Sequence, residues 1–161
     1  MGMYMKIDGI EGESKQKGHE NWIDISSADW HFSNAGGGMP DSSGGRTGGE
    51  GVCGLISVSL DGSSVIPTIT QYCLTGTTTS KINIESVTAS KSAVIYNSWE
   101  LSDCAFNDIS FSDMGSGTSS MPVRITVSYS KFDFKLTTVT DAGASGTTKE
   151  LKYNVMQQAA E

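Results

Sequence analysis

Lys6–Trp30, KIDGIEGESKQKGHENWIDISSADW, begins at the end of one β-strand and finishes in another. Just upstream, Met3, Met5 and Ile7 alternate with Tyr4, Lys6 and Asp8, the period of a half-buried strand. Ile23 and Ile25 resume that alternation, and Ala28, Trp30 and Phe32 then take the apolar positions in the opposite parity. A one-residue shift of this kind is what a β-bulge produces. Between the strands, Gly9 and Gly12 bracket Ile10 and Glu11, and a polar run leads to His19.

The next segment, Ser33 to Gly51, is glycine-rich and offers almost nothing to bury. A loop this long inside a compact domain is either disordered or functional. It lacks the Gly-Lys-Ser/Thr ending of a phosphate-cradling loop and any dinucleotide fingerprint opening a helix. An arm that orders against a neighbouring subunit is the functional reading left. Val52 to Leu60 reads as a strand and Asp61-Gly62 as a turn. Ser63 to Thr75 reads as the one helix, with Ser63 or Ser64 as its cap, Pro67 in its first turn, Ile66, Ile69 and Cys73 as its apolar stripe, and Gly76 closing it.

From there the chain reads as strand after strand. Lys81 to Ala89 is one, and Ala93 to Phe111 is long enough to be bulged, bent or broken in two. Pro122 to Leu136 changes parity midway, Asp141 to Thr148 is a flexible loop, Leu151 to Val155 is a last strand, and Gln157 to Glu161 is a polar tail. The expected fold is mainly β: a small antiparallel β-barrel or two-sheet sandwich with one flanking helix, forming a single domain over residues 1–161.

At 161 residues the chain can bury a real core. A net charge of −7 argues against nucleic acid and against anionic membrane surfaces as partners. No apolar run is long enough for a transmembrane helix, and no signal-peptide core is visible at the N-terminus. Cys53, Cys73 and Cys104 are odd in number and widely spaced, as expected of reduced, buried thiols in a protein made in the cytoplasm.

Chemistry is hard to find. His19 and His31 have no metal-ligand spacing, the carboxylates are scattered, and cysteines on apolar-patterned segments belong to cores. No catalytic, metal or cofactor site is expected. A face of small polar residues does stand out, at Thr126, Ser128 and Ser130, at Asn83 and Glu85, and at Ser26 and Asp29. It is either an ordinary solvent face or the wall of a water-filled lumen shared by several subunits. A glycan-binding sandwich would need a concave aromatic patch, and no aromatic cluster in a loop supplies one.

The spacing of Gly12-Glu13-Ser14, His19, Ile23 with Ile25, and Trp30 resembles the opening of the Hcp family, the tube proteins of bacterial type VI secretion. The glycine-rich loop, the single helix with its early proline and the closing Leu151-Lys-Tyr-Asn-Val are similar to that family more loosely; the Ser63-Ser64-Val65-Ile66-Pro67 approach to the helix departs from it. The resemblance implies a β-barrel of the phage tail-tube kind and a structural subunit, not an enzyme. Six copies would close into a ring, and rings would stack into a tube exported without a cleavable signal peptide. It implies the chain itself, spike and sheath components and small lumenal effector proteins as partners, with no cofactor, no nucleic acid and no membrane insertion. By the same resemblance Asp29 and Ser26 would face lumen or cargo, and Gly36, Gly37, Gly38, Met39, Asp41 and Arg46 would belong to an inter-subunit loop.

Overall fold

The computed structural model describes residues 2–34, 51–89, 93–112, 121–157 and 159–160. Gly36, Gly37, Gly38, Met39, Asp41 and Arg46 lie outside the described residues.

The chain folds as β1 (Gly2–Ile7), β2 (Ile23–Asp24), β3 (Ser27–Asp29), β4 (Phe32–Asn34), β5 (Gly51–Cys53), β6 (Ile56–Leu60), α1 (Ile66–Thr75), β7 (Thr78–Val87), β8 (Ile95–Phe111), β9 (Val123–Ser128), β10 (Lys131–Val139), β11 (Ser145–Asn154) and β12 (Ala159–Ala160). All pairings among the described residues are antiparallel. One layer runs β12-β11-β10-β8-β7-β1-β2, and β3-β6-β9 continues from the far half of β8.

Strand β8 joins the layers. Its first half pairs with β10 as far as Ser102↔Lys131, and its second half pairs with β9 from Ala105↔Ser128 onward. Between them Asp103 takes φ +51°, a conformation most side chains resist. The buried face accordingly passes from Trp99 and Leu101 to Cys104 and Phe106. Ser130, at the β9–β10 turn, holds the bend: its amide and hydroxyl donate to the Ser102 carbonyl at 3.0 and 3.2 Å, and its hydroxyl lies 3.1 Å from Asp103 Oδ2.

A second stitch lies in the opening stretch. β2 pairs with β1 while β3 pairs with β6. Between them the Ile25 amide donates to Met3 and the Ser26 amide to Ser59. The expected bulge is therefore a change of partner, with each short strand belonging to a different layer. Because the two short ladders are separate, the body is sandwich-like and not the closed barrel allowed by the sequence. Met5, Ile7, Ile82 and Leu101 from one layer meet Ile56, Val58, Ile125 and Val127 from the other in one core.

Other boundaries also move. Val52 to Leu60 is two strands broken at Gly54, where an added Cβ would sit 2.6 Å from the His31 carbonyl oxygen. The parity change in Pro122 to Leu136 is the β9–β10 hairpin. Strand β11 begins inside the expected loop, and Ala159–Ala160 of the expected polar tail pairs with it. Helix α1 keeps Pro67 in its first turn, buries Ile66 and Ile69, and closes on left-handed Gly76. Its N-cap is Val65 with no side-chain cap bond, not Ser63 or Ser64. The Ser64 amide instead donates to Glu13 Oε1 at 3.0 Å, which ties the helix start to the opening loop; the Ser64 hydroxyl, and then this amide, hold the Glu13 carboxyl below its ordinary range.

Candidate assembly surfaces

The loop from Glu11 to Trp22 accounts for its own residues. The Gly12 amide donates to the Asn21 carbonyl at 2.7 Å, and a Cβ at Gly12 would collide with the Trp22 backbone. The Ser14 and Asn21 amides donate to Trp22 and Ser14 carbonyls, both at 2.9 Å. This fold of the loop drops His19 onto the outer face of β1 and β7, where it is 4% exposed. Its ring stacks on Tyr4 at 4.6 Å, meets the edge of Trp22 at 4.7 Å, and places Nε2 2.7 Å from Glu85 Oε2. Glu13 thus ties the loop to the start of α1, Ser14 closes it on itself, and His19 seats it on the sheet. His31, by contrast, is exposed.

The hydroxyl-rich face is real and belongs to β3, β6, β9 and the far half of β8. One row across it runs Asp29, Ser57, Thr126, Asp108, and the next runs Ser27, Ser59, Arg124, Ser110. The alternate positions, Val58 and Ile125, are buried, so strand period alone places the small polar side chains outward. Arg124 reaches Asp29 at 3.6 Å with both side chains more than half exposed, so the pair contributes little stability. Ser26 is exposed beside a cleft of about 360 Å³ that Glu13, Asp24 and Asp61 also line. Asn83 and Glu85, grouped with this face by sequence pattern, lie on the other layer among charged neighbours; the register there runs Lys152, Asp133, Glu100, Asn83, Lys6.

The sequence pattern missed a third surface. Trp30 and Phe134 each stack on Trp99 at 4.2 Å, and Phe132 packs against Phe32 at 5.5 Å and Tyr153 at 5.7 Å. Trp99, Phe132, Phe134 and Tyr153 floor an apolar groove of about 410 Å³ between the β4–β5 ribbon and the β10–β11 hairpin, with Phe32, Val52 and Leu151 on its rim. The concave aromatic patch judged missing from the loops is therefore built from strands. Its lining is almost wholly apolar, which suits protein side chains better than sugar hydroxyls.

Burial pushes the Cys104 thiol up to about 12, and burial also raises Cys53. Cys53 and Cys73 are half-buried, so only Cys104 meets the expectation of a core thiol. Among the described residues no cluster of His, Cys, Asp or Glu is placed to hold a metal ion, and no helix is long and apolar enough to cross a membrane.

Residues 4–136 match the model of the family described as type VI secretion system effector, Hcp. No curated protein sequence matches. Among solved structures, a type six secretion system protein superposes with TM-score 0.93 at 16% identity, covering 99% of each chain. Hcp1 from Salmonella typhimurium superposes with TM-score 0.79 at 19% identity, covering 99% of this chain and 98% of its own. A type VI secretion system effector from Yersinia pestis gives 0.74 at 20% identity, covering 95% of this chain and 99% of its own. At these identities the structural matches establish the fold, and the family rests on the sequence match.

Proposed function

We propose, from the premise that this chain belongs to the Hcp family of type VI secretion system proteins, that it closes into a hexameric ring, that rings stack into the inner tube, and that the ring's interior carries effector proteins to be exported with it. The observation that carries this reading is the family match over residues 4–136 together with the end-to-end overlap of the fold. The work asked of such a subunit is mechanical. A contractile sheath would drive the stack, a spike would cap it, and the subunit itself would catalyse nothing.

The hydroxyl-rich face with Asp29 supports a lumenal role. A channel wall must stay wetted and must release its cargo. Rows of Ser and Thr on a pleated sheet do both, because they hydrogen-bond water and offer little apolar area to adhere to. Ser26 sits at the margin of this face, beside the change of sheet partner. The segment containing Gly36, Gly37, Gly38, Met39, Asp41 and Arg46 begins and ends at the open tip of the β4–β5 ribbon, a position from which it would reach a neighbouring copy.

Light scattering after size exclusion, with negative-stain imaging of the same fractions, tests the reading. Six-fold rings are the expected result. A species that stays monomeric across the accessible concentration range, with no rings on the grid, overturns it.

A further inference from the structure

The aromatic groove borders an unfinished sheet edge. Strand β12 covers only Tyr153 and Asn154 of β11, and among the described residues no strand lies beside Ser145–Lys152. Across the groove, β4 and β5 form a two-stranded ribbon of three residue pairs, a kind of element that is marginal in water without further packing. Phe32, Val52 and Leu151 on the rim are 45%, 56% and 46% exposed. An apolar floor, an open backbone edge and a ribbon in need of support therefore adjoin one another.

We infer that this groove and the outer edge of β11 form the receiving half of a head-to-tail contact, and that its occupant is the acidic β2 end of a second copy of this chain. The inference rests on the ring reading above and adds which surfaces meet.

Charge selects the occupant. The chain is strongly acidic, at −7. Yet within residues 131–154 Lys131, Lys135, Lys149 and Lys152 outnumber Asp133, Asp141 and Glu150. The opposite end of the same layer is β2. Around it Asp8, Glu11, Glu13, Glu20 and Asp24 are all exposed and outnumber Lys6, Lys15 and Lys17. Two hairpins meeting about a two-fold axis would set their lysines against each other. Joining β11 of one copy to the β2 end of the next sets unlike charges together and uses a different patch on each side. Such a contact propagates and closes when its rotation divides the circle. It also covers an edge that would otherwise recruit strands indiscriminately.

The test is charge reversal followed by sedimentation velocity at low salt, with folding checked by circular dichroism. Lys149→Glu with Lys152→Glu, and separately Glu20→Lys with Asp24→Lys, should each raise the concentration needed for assembly by about tenfold or more. One chain carrying all four reversals, or an equal mixture of the two variants, should regain assembly. Val52→Asp, which leaves the buried floor intact, should abolish it. Wild-type rings with assembly unmoved by the reversals would overturn this inference and leave the ring reading standing. A reversed hairpin that loses assembly and is not restored in the four-fold variant would also overturn it, in favour of hairpin self-pairing. A wild-type chain that never assembles would overturn the ring reading itself.

Discussion

Single side chains hold the two layers in their relation. Asp103 sits at φ +51° where β8 leaves β10 for β9, and its carboxylate receives the Ser130 hydroxyl. Asp and Asn tolerate this backbone region and β-branched residues do not. Asp103→Val should therefore cost about 1–3 kcal/mol in urea unfolding, while Asp103→Asn should stay within about 0.5 kcal/mol of wild type. Equal effects would mean that the bend is held by the hairpin alone. Asp133 poses a different problem. Burial and then a hydrogen bond with Glu150 raise its carboxyl above the ordinary range, against the pull of Lys135 at 3.7 Å. A carboxyl raised in the folded state binds its proton more tightly there than in the unfolded chain. Its ionised form at neutral pH thus weakens the fold, and stability returns as pH falls through the raised value. Asp133→Asn should raise the Tm at pH 7, and the gap should close on acidification. A gap independent of pH would show that Asp133 titrates as an ordinary surface carboxylate. Neither the surroundings of Asp133 nor those of His19 could be read from sequence. Asp133 gains its neighbours only when β10 and β11 pair, and His19 finds Glu85 only when the opening loop folds over β7.

At the scale of elements, local pattern was a good guide where one face of one element met the core. The alternation of Met3, Met5 and Ile7 places β1, and Ile66, Ile69 and Gly76 place the helix. It failed where the chain changes partner. A parity shift looks the same in sequence whether it is a bulge within one strand or the boundary between two. At Ser26 and at Ser130 it marks a boundary, and at Asp103 it marks a bend inside one strand. The helix cap failed for a related reason: Ser64 is bonded through its side chain as well as its amide to Glu13, which is remote in sequence. The aromatic groove was illegible because Phe32, Trp99, Phe132 and Tyr153 come from separate segments that only sheet register brings together. The opening loop makes the element-scale prediction. Gly12 has no room for a methyl group against the Trp22 backbone, so Gly12→Ala must open the loop that seats His19. The expected loss is about 1–3 kcal/mol in denaturant unfolding, with the Trp22 environment changed in near-ultraviolet circular dichroism. A variant of wild-type stability would mean that the loop yields without cost.

For the whole molecule, the outer faces differ in chemistry in a way that folding does not require. Either layer would be soluble with charged residues outside, as Lys81, Glu100, Lys135 and Glu150 are on one of them. The other carries mostly hydroxyls, with Asp29 and Arg124 as a weak, exposed pair. Small, weakly charged side chains are what a channel wall needs if cargo is to be held loosely and passed on. If that is their use, bulk at Asp29 should harm transport and not folding. Asp29→Trp removes an ion pair worth at most about 1 kcal/mol and adds a large ring to a solvent-facing row. The variant should unfold within about 1 kcal/mol of wild type and form rings of the same symmetry, while co-purifying effector falls several-fold. Loss of rings with the subunit still folded would place Asp29 at a contact between copies. Unchanged cargo retention in intact rings would remove this face from the lumen altogether.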